Sequence, residues 1–316
     1  MPLASKDLVE VWKQLAVSKA AVAQLPDIPL TCKGRNFHAG WTSTQEDTRT
    51  TKRMRTPLAS VIVVLSIATW IMALKPASLR GADGRTAVLV ELFTSEGCSS
   101  CPPADKFLET LDGQPISGAD MIVLSEHVDY WNHIGWKDPY SASFYSQRQS
   151  AYAKRFGLDS VYTPQMVVDG TSEFVGSNSG QADKAFRKEL SVPKLPVRLS
   201  SVSADASNVL HAHLETGTLD SSFGSREADV YVALALNRAE SQVSAGENSG
   251  RKLTHVAVVR SLTRIGALKQ GRVLAQDVQL KLEPGSDSRN LRLIAFVQEP
   301  GQGRVLGAAS MPVRAQ

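Results

Sequence analysis

The sequence has few cysteines and little excess charge of either sign. Its 316 residues include three cysteines, too few for a disulfide-rich scaffold. The formal net charge is +4 and no run of five or more lysines or arginines occurs, so we expect no nucleic-acid partner. Hydrophobic residues make up 42% and charged residues 21%, which is typical of a globular protein long enough for two domains.

Long hydrophobic runs are also scarce, with one exception at 58–74, LASVIVVLSIATWIMAL. Basic residues precede this uncharged stretch and Lys75 follows it. A basic flank followed by an apolar core is the order of an export signal. We therefore predict that 54–82 is a signal peptide or a membrane anchor. The protein is expected to be exported, periplasmic or secreted, and to contact a membrane only through 58–74 if that segment is retained.

Residues 1–53 are polar and lack a sustained apolar period. Met54 begins a segment of ordinary signal-peptide character, MRTPLASVIVVL. We therefore expect the biological start to be Met54, and a genuine cytoplasmic tail is the alternative. Cys32 lies in this extension and receives no predicted role.

The rest of the chain predicts two domains. Over 86–192 the order of elements is β-α-β-α-β-β-α, which is typical of a thioredoxin core. Pro193 and Pro196 mark a linker, and 195–313 contains short alternating strands separated by turn residues, which predicts a β-sandwich. The expected fold is an α/β thioredoxin-like domain followed by an all-β sandwich-like domain. The strands predicted in the second domain are 197–203, 208–215, 228–237, 253–260, 272–282, 290–298 and 304–310.

The pair Cys98 and Cys101 forms a Cys-x-x-Cys motif between a predicted strand and a predicted helix. A redox pair, a structural disulfide and a zinc half-site are all compatible with this spacing, although zinc normally needs four ligands and no second such motif is present. A helix N-terminus lowers the pKa of a nearby thiol. Cys98 would then be the exposed attacking thiol and Cys101 the resolving thiol. The two prolines after Cys101 predict a regular helix beginning near 102 or 103.

Two further residues are placed with this pair. In thioredoxin-like folds a cis proline opens the third strand and faces the cysteines, so the Thr163–Pro164 bond is predicted to be cis and to shape the substrate groove. Glu91 lies in an apolar strand, where burial would raise its pKa and suit it to exchange a proton with Cys101. The alternative is that Glu91 is solvated at the end of the strand.

An aromatic segment, EHVDYWNHIGWKDPYS, covers 126–141 and follows the second predicted strand. It is expected to lie at the edge of the sheet that carries the cysteines. One interpretation is a substrate groove, the others are a packed aromatic loop and a metal site in which His127 joins Cys98 and Cys101. The groove residues in this interpretation are Thr163, His127, Asp129, Tyr130, Trp131 and Trp136.

Four segments together, ELFTSEGCSSCPPAD, HVDYWNHIGWKDPYS, YTPQMVVDG and AFVQEPGQGRVLGAA, resemble the bacterial secreted family called domain of unknown function 1223. That family is placed in the thioredoxin-like superfamily. The resemblance implies an exported protein with paired cysteines and says little about its substrate. Against thioredoxin, Gly97 stands where a tryptophan is usual, Ser99-Ser100 replace Gly-Pro, and Glu91 is offset by one residue from the usual buried acid.

The sequence therefore predicts an exported thiol–disulfide oxidoreductase-like protein that uses Cys98 and Cys101, acts on a protein or small thiol or disulfide, and needs no cofactor. One alternative is a non-catalytic binding module whose disulfide is only structural. Another is a periplasmic copper-handling protein using Cys98, Cys101 and His127, because thiolates suit Cu(I).

Overall fold

The structure is a computed structural model that describes residues 85–114 and 116–315. Its larger sheet has eight strands, which come from both halves of the chain. The predicted extension 1–53, with Cys32, and the predicted signal or anchor 54–82 lie outside the described residues. Within them, no helix has the length and apolar character needed to cross a membrane. The strands are β1 (Thr86–Thr94), β2 (Ala119–His127), β3 (Gln165–Val168), β4 (Ser172–Val175), β5 (Val197–Ala204), β6 (Val209–Thr216), β7 (Glu227–Gln242), β8 (Lys252–Lys269), β9 (Ala275–Lys281), β10 (Leu291–Gln298), β11 (Val305–Pro312) and β12 (Arg314–Ala315). The α-helices are α1 (Pro102–Gly113), α2 (Ser143–Phe156) and α3 (Ser179–Leu190).

Local sequence accounts for the elements nearest the cysteines. β1, TAVLVELFT, is buried along most of its length, as expected for a central strand covered on both faces. α1 begins at Pro102 with Cys101 as its N-cap, which confirms the helix start expected from the two prolines. α2 is followed by Gly157 as its C-cap, whose left-handed φ of 68° suits a residue without a Cβ.

The large sheet has the order β11-β10-β7-β8-β2-β1-β3-β4, and a second sheet has the order β12-β5-β6-β9. β1 is parallel to β2 and antiparallel to β3. β8 adds to the other side of β2 in parallel register, at the pair Ser125 and Val258. This single junction joins strands from the two halves of the chain into one sheet.

Three groups of elements cover the large sheet. α1 and α3 pack on one face of its first half, around Val90, Leu108 and Phe186. The four-stranded sheet packs over β7 and β10, where Leu214 and Leu293 share a core. α2 covers the opposite face. Because side chains alternate between the faces of a strand, neighbouring residues of β1 belong to different cores.

The expected fold, an α/β thioredoxin-like domain followed by a separate all-β sandwich, is wrong. Most of the predicted strands are present, but β7, β8, β10 and β11 join the sheet that contains β1 and β2. The described residues contain far more strand than helix and lie within one compact unit. The physical reason is that β8 supplies the backbone partner for the free edge of β2. The strands of the β7–β8 hairpin also extend well beyond the predicted 228–237 and 253–260.

Candidate functional site

Cys98 and Cys101 form a disulfide, with their Cα atoms 5.5 Å apart. Both residues are 0% exposed, whereas Ser99 and Ser100 between them are on the surface. The expectation that Cys98 is exposed is therefore wrong for the oxidised protein. Two other segments of the chain cover the disulfide loop. A packed aromatic loop after β2 was one of the sequence interpretations, whereas the other cover, a hairpin from the second half of the chain, was not predicted.

The first cover is the hairpin tip, residues 243–251, which joins β7 to β8. The Nδ2 of Asn248 donates hydrogen bonds to the backbone oxygens of Glu96, at 2.8 Å, and Cys98, at 2.9 Å. The Glu247 carboxylate accepts one from the backbone N–H of Ser99 at 3.0 Å. The hairpin tip is thus bound to the backbone on both sides of Cys98.

The second cover is the aromatic loop, residues 128–142, which follows β2. Gly97 packs so closely on this loop that a Cβ added there would lie 3.0 Å from the Cβ of Trp131. The indole N–H of Trp131 donates to Thr163 Oγ1 at 2.8 Å, and that of Trp136 donates to Glu96 Oε2 at 2.7 Å. The two tryptophans therefore tie the loop to Glu96, two residues before Cys98, and to Thr163.

The other side chains predicted to line a groove are also engaged within the protein. Asp129 accepts a hydrogen bond from Ser146 at 2.5 Å, and the Tyr130 hydroxyl donates to Gln149 at 3.1 Å. His127 is buried beneath the loop. These contacts are those of an ordered, packed loop, which is the alternative interpretation of this segment.

The Thr163–Pro164 bond is cis, which confirms that prediction. A Cβ added at Gly176 would lie 3.3 Å from the Cβ of Pro164 and 3.1 Å from that of Ala104 in α1. Pro164 therefore lies near the first turns of α1, and Thr163 contacts the disulfide loop through Trp131.

Glu91 is fully buried, so it is not solvated at the end of the strand. Its carboxylate accepts hydrogen bonds from Arg148 Nε at 2.6 Å and from the Tyr152 hydroxyl at 2.5 Å, both on α2. α1, which begins after Cys101, packs on the opposite face of β1. The structure therefore does not bring Glu91 to the cysteine pair.

A different set of buried ionisable groups lies next to the disulfide loop. His255 of β8 is 1% exposed, and its Nε2 is 3.4 Å from Glu96 Oε1. Its Nδ1 is 3.8 Å from Asp105 Oδ1 in the first turn of α1. Burial alone would lower the pKa of His255, but the nearby carboxylates of Asp105 and Glu96 outweigh it and raise this pKa to about 10. The imidazole is therefore positively charged at neutral pH.

His127 extends this set. Its Nδ1 is 2.7 Å from Asp138 Oδ2, and its ring centroid is 4.7 Å from that of His255. Burial raises the pKa of Asp138, but the His127 contact and two backbone N–H donors more than offset this, and the pKa is lowered. Asp138 also accepts a hydrogen bond from the backbone N–H of Glu96 at 2.9 Å.

The alternative metal site, His127 with Cys98 and Cys101, is not assembled in this state. The two sulfur atoms are bonded to each other, and His127 is bound to Asp138. Across residues 85–114 and 116–315, no group of three or more His, Cys, Asp or Glu side chains is arranged to hold a metal ion.

A cleft of about 280 Å³ leads from the surface to this set of ionisable groups. It runs beside α1, where Asp105 and His255 form part of its wall. Its lining residues are Pro102, Asp105, Lys106, Glu109, Arg238, Lys252, Leu253, Thr254 and His255.

Sequence reasoning missed Glu96, Asn248 and His255 as members of this site. Glu96 carried the best signal, because it lies two residues before Cys98 in the loop after β1. Asn248 and His255 carried none, because about 150 residues separate them from the cysteines.

The fold and the site define a mixed-sheet protein in which a Cys-x-x-Cys disulfide is enclosed by a loop and a hairpin from distant segments. The chain belongs to the family described as protein of unknown function DUF1223, whose model matches residues 89–298.

Two solved structures are similar to this chain. Protein AGR_C_4864 from Agrobacterium tumefaciens has 26% sequence identity and a TM-score of 0.55, with 72% of this chain and 94% of that chain covered. HBP35 of Porphyromonas gingivalis has 17% identity and a TM-score of 0.55, with 72% and 76% covered, which is a likeness of fold alone. No curated protein matches the chain.

Proposed function

We propose that this protein is an exported thiol–disulfide oxidoreductase that uses Cys98 and Cys101 on a protein or small-molecule thiol or disulfide. The observation that carries the proposal is the closed Cys-x-x-Cys disulfide at the start of α1, beside buried groups of both charges. A disulfide that closes so short a loop adds little stability, because it constrains the unfolded chain less than one that closes a long loop. Export is supported by the apolar segment 58–74 after its basic flank, and by a disulfide, which persists in oxidising compartments.

The reaction is a two-electron exchange. A substrate dithiol reduces the protein: the Cys98–Cys101 bond breaks, an S–S bond forms in the substrate, and two electrons and two protons pass to the cysteines. The reverse reaction oxidises the substrate. In both directions the intermediate is a mixed disulfide between the substrate and one cysteine.

The helix start supports different roles for the two cysteines. Cys101 is the N-cap of α1, and its backbone oxygen accepts hydrogen bonds from the N–H groups of Ala104 and Asp105. The positive end of the helix dipole therefore favours a thiolate at Cys101 more than at Cys98. An incoming thiolate attacks Cys98 Sγ, and Cys101 leaves as the thiolate. In the reverse direction Cys98 attacks and Cys101 resolves.

Access to the sulfur atoms requires movement of a cover. The hairpin tip is the better candidate, because it contacts the disulfide loop through hydrogen bonds that Asn248 donates and Glu247 accepts. The aromatic loop, by contrast, packs Trp131 tightly against Gly97. Displacing the hairpin tip would free the Ser99 N–H and the Cys98 carbonyl for the backbone of an extended substrate.

Trapping of mixed disulfides tests the proposal. Cys101→Ser leaves a mixed disulfide at Cys98 unresolved, so it is expected to accumulate covalent partners in the exporting cell. Cys98→Ser is the matched control and is expected to trap few or none. If neither variant traps a partner, and the native disulfide resists strong reductants, the oxidoreductase assignment fails.

The second candidate is a non-catalytic binding module in which the disulfide is a structural staple. The complete burial of both cysteines favours it. The two functions differ in the kinetics of reduction. A staple would be reduced only as fast as the whole protein unfolds, whereas a redox pair would be reduced through local opening while the protein remains folded.

A further inference from the structure

The ionisable groups next to the disulfide loop are not explained by the roles of the two cysteines alone. Resting on the oxidoreductase function above, we propose that His255 is a positioning residue that sets the reduction potential of the Cys98–Cys101 pair, by balancing the charges of Glu96 and Asp105 on either side of the disulfide loop.

The two carboxylates belong to the two ends of that loop. Glu96 precedes Cys98 by two residues, and Asn248 binds the backbone oxygens of both. Asp105 lies one turn after Cys101, and its N–H donates to the Cys101 oxygen at 3.1 Å. His255, brought in by β8, lies between the two carboxylates. A change in its charge therefore acts on both flanks of the cysteine pair.

Some of the polar atoms in this arrangement have no hydrogen-bond partner. Among the described residues, His255 Nδ1, His255 Nε2 and Glu96 Oε1 are buried without a hydrogen-bond partner. Buried polar groups are normally paired, so such exceptions call for a specific explanation. Here the contacts, at 3.4 and 3.8 Å, are those of charges held near each other.

All the elements packed around His255 bear on its charge. The two carboxylates are Glu96, from the loop after β1, and Asp105, from α1. The ring centroid of His127, from β2, is 4.7 Å from that of His255, and the ring centroid of Tyr140, from the aromatic loop, is 6.2 Å from it. Asp138 is paired with His127 behind it. The cleft also brings the exposed side chains of Lys106 and Lys252 toward the same wall. The closest charges to His255 are the two carboxylates, which keep it cationic.

This charge balance has a direct effect on the reduced state. Reduction separates the two sulfur atoms, and the helix start favours the thiolate form at Cys101. A thiolate is stabilised by nearby positive charge and destabilised by negative charge. Without the imidazolium, two uncompensated carboxylates would remain on the residues that flank the cysteine pair. The reduced form would become less stable and the disulfide harder to reduce.

His255→Gln tests this inference in the full chain, with His213→Gln as the matched control. His213 is an exposed histidine on β6 that pairs with Asp277. The reduction potential is measured in glutathione redox buffers, and the thiol pKa is obtained from the pH dependence of thiolate absorbance. H255Q is expected to lower the equilibrium constant for reduction about tenfold, which is about 30 mV more negative. The lowest thiol pKa is expected to rise by about one unit. H213Q is expected to change neither quantity.

Glu96→Gln provides a second variant of opposite sign. Removing this negative charge is expected to lower the thiol pKa and make the potential less negative, a result that mere structural damage would not give. The inference is overturned if the equilibrium constant for reduction stays within threefold of the wild-type value in both variants. It is also overturned if both variants shift the reduction potential in the same direction. A measurable but unaltered potential removes only this inference, whereas failure of Cys101→Ser to trap partners removes the oxidoreductase function.

Discussion

The side chain of Asn248 donates a 2.9 Å hydrogen bond to the backbone oxygen of Cys98, although 150 residues separate the two in the chain. Asn248 is itself 1% exposed, and Arg251 Nη1 donates to its Oδ1 at 2.9 Å. The hairpin tip therefore holds the disulfide loop through a side chain whose amide nitrogen and amide oxygen are both hydrogen-bonded.

Asn248→Ala is expected to accelerate reduction of the disulfide by dithiothreitol about tenfold. The substitution leaves two buried backbone acceptors without their donor, which costs about 1–3 kcal/mol and favours opening of the hairpin tip. Asn237→Ala is the control, because Asn237 also donates to two backbone oxygens, those of Arg289 and Leu291. It is expected to lower stability without accelerating reduction. Equal rates for N248A and the wild type would show that the hairpin tip does not limit access.

The charge of His255 predicts how stability depends on pH. Its folded pKa of about 10 lies above the ~6.5 of an unfolded histidine. The stabilisation is therefore fully present below about pH 6.5 and is lost as pH rises toward 10. The free energy of unfolding in urea is expected to fall by about 1.4 kcal/mol per pH unit between pH 7 and 9. H255Q should lack this component, and an identical slope in H255Q and the wild type would contradict it.

Glu91 and Glu126 face α2, and both lie near Arg148. Arg148 is 2.6 Å from Glu91 and 3.6 Å from Glu126. Burial, followed by the charge of Glu91, raises the pKa of Glu126 well above its usual value and so favours its neutral form. Glu91→Gln is expected to cost about 3 kcal/mol, because it removes the partner of a buried charge. Glu126→Gln, whose amide is neutral, is expected to cost less than about 1 kcal/mol.

Neither variant should change the reduction potential of the cysteine pair, because both side chains lie on the face opposite α1. Urea unfolding and the glutathione equilibrium measure the two effects separately. A thiol pKa that shifts in E91Q but not in E126Q would restore Glu91 as the proton-exchanging group of Cys101.

β11 packs closely against the segment before β5. A single methyl group added at this contact is therefore expected to destabilise the protein. A Cβ at Gly307 would lie 2.0 Å from the backbone oxygen of Leu195, which cannot move away as a flexible side chain could. Gly307→Ala is expected to destabilise the protein by about 3 kcal/mol or more. Gly113→Ala is the control, because a Cβ there meets nothing within 4 Å. A G307A melting temperature equal to that of G113A would contradict this packing.

Local chemistry was sufficient to predict several parts of this protein. The apolar run of β1 and the start of α1 at Pro102 were predicted from short segments, whereas the cis bond before Pro164 was predicted from its place in an expected thioredoxin-like fold. The first two depend on conformational preferences that act over a few residues. Most strands of the second half were also predicted, because alternating apolar residues indicate a strand wherever it is placed.

Tertiary structure alone decided which strands became neighbours, and the site followed from that choice. Pairing of Ser125 with Val258 places β8 beside β2, which brings His255 between Glu96 and Asp105 and the hairpin tip over Cys98. The apolar run that predicts β1 as a strand does not say which face each residue takes, so the direction of Glu91 toward α2 was not available from its neighbours. Any exposed strand edge offers the same backbone N–H and C=O groups, so the choice between edges depends on the packing of whole layers, and no short segment of sequence contains that information.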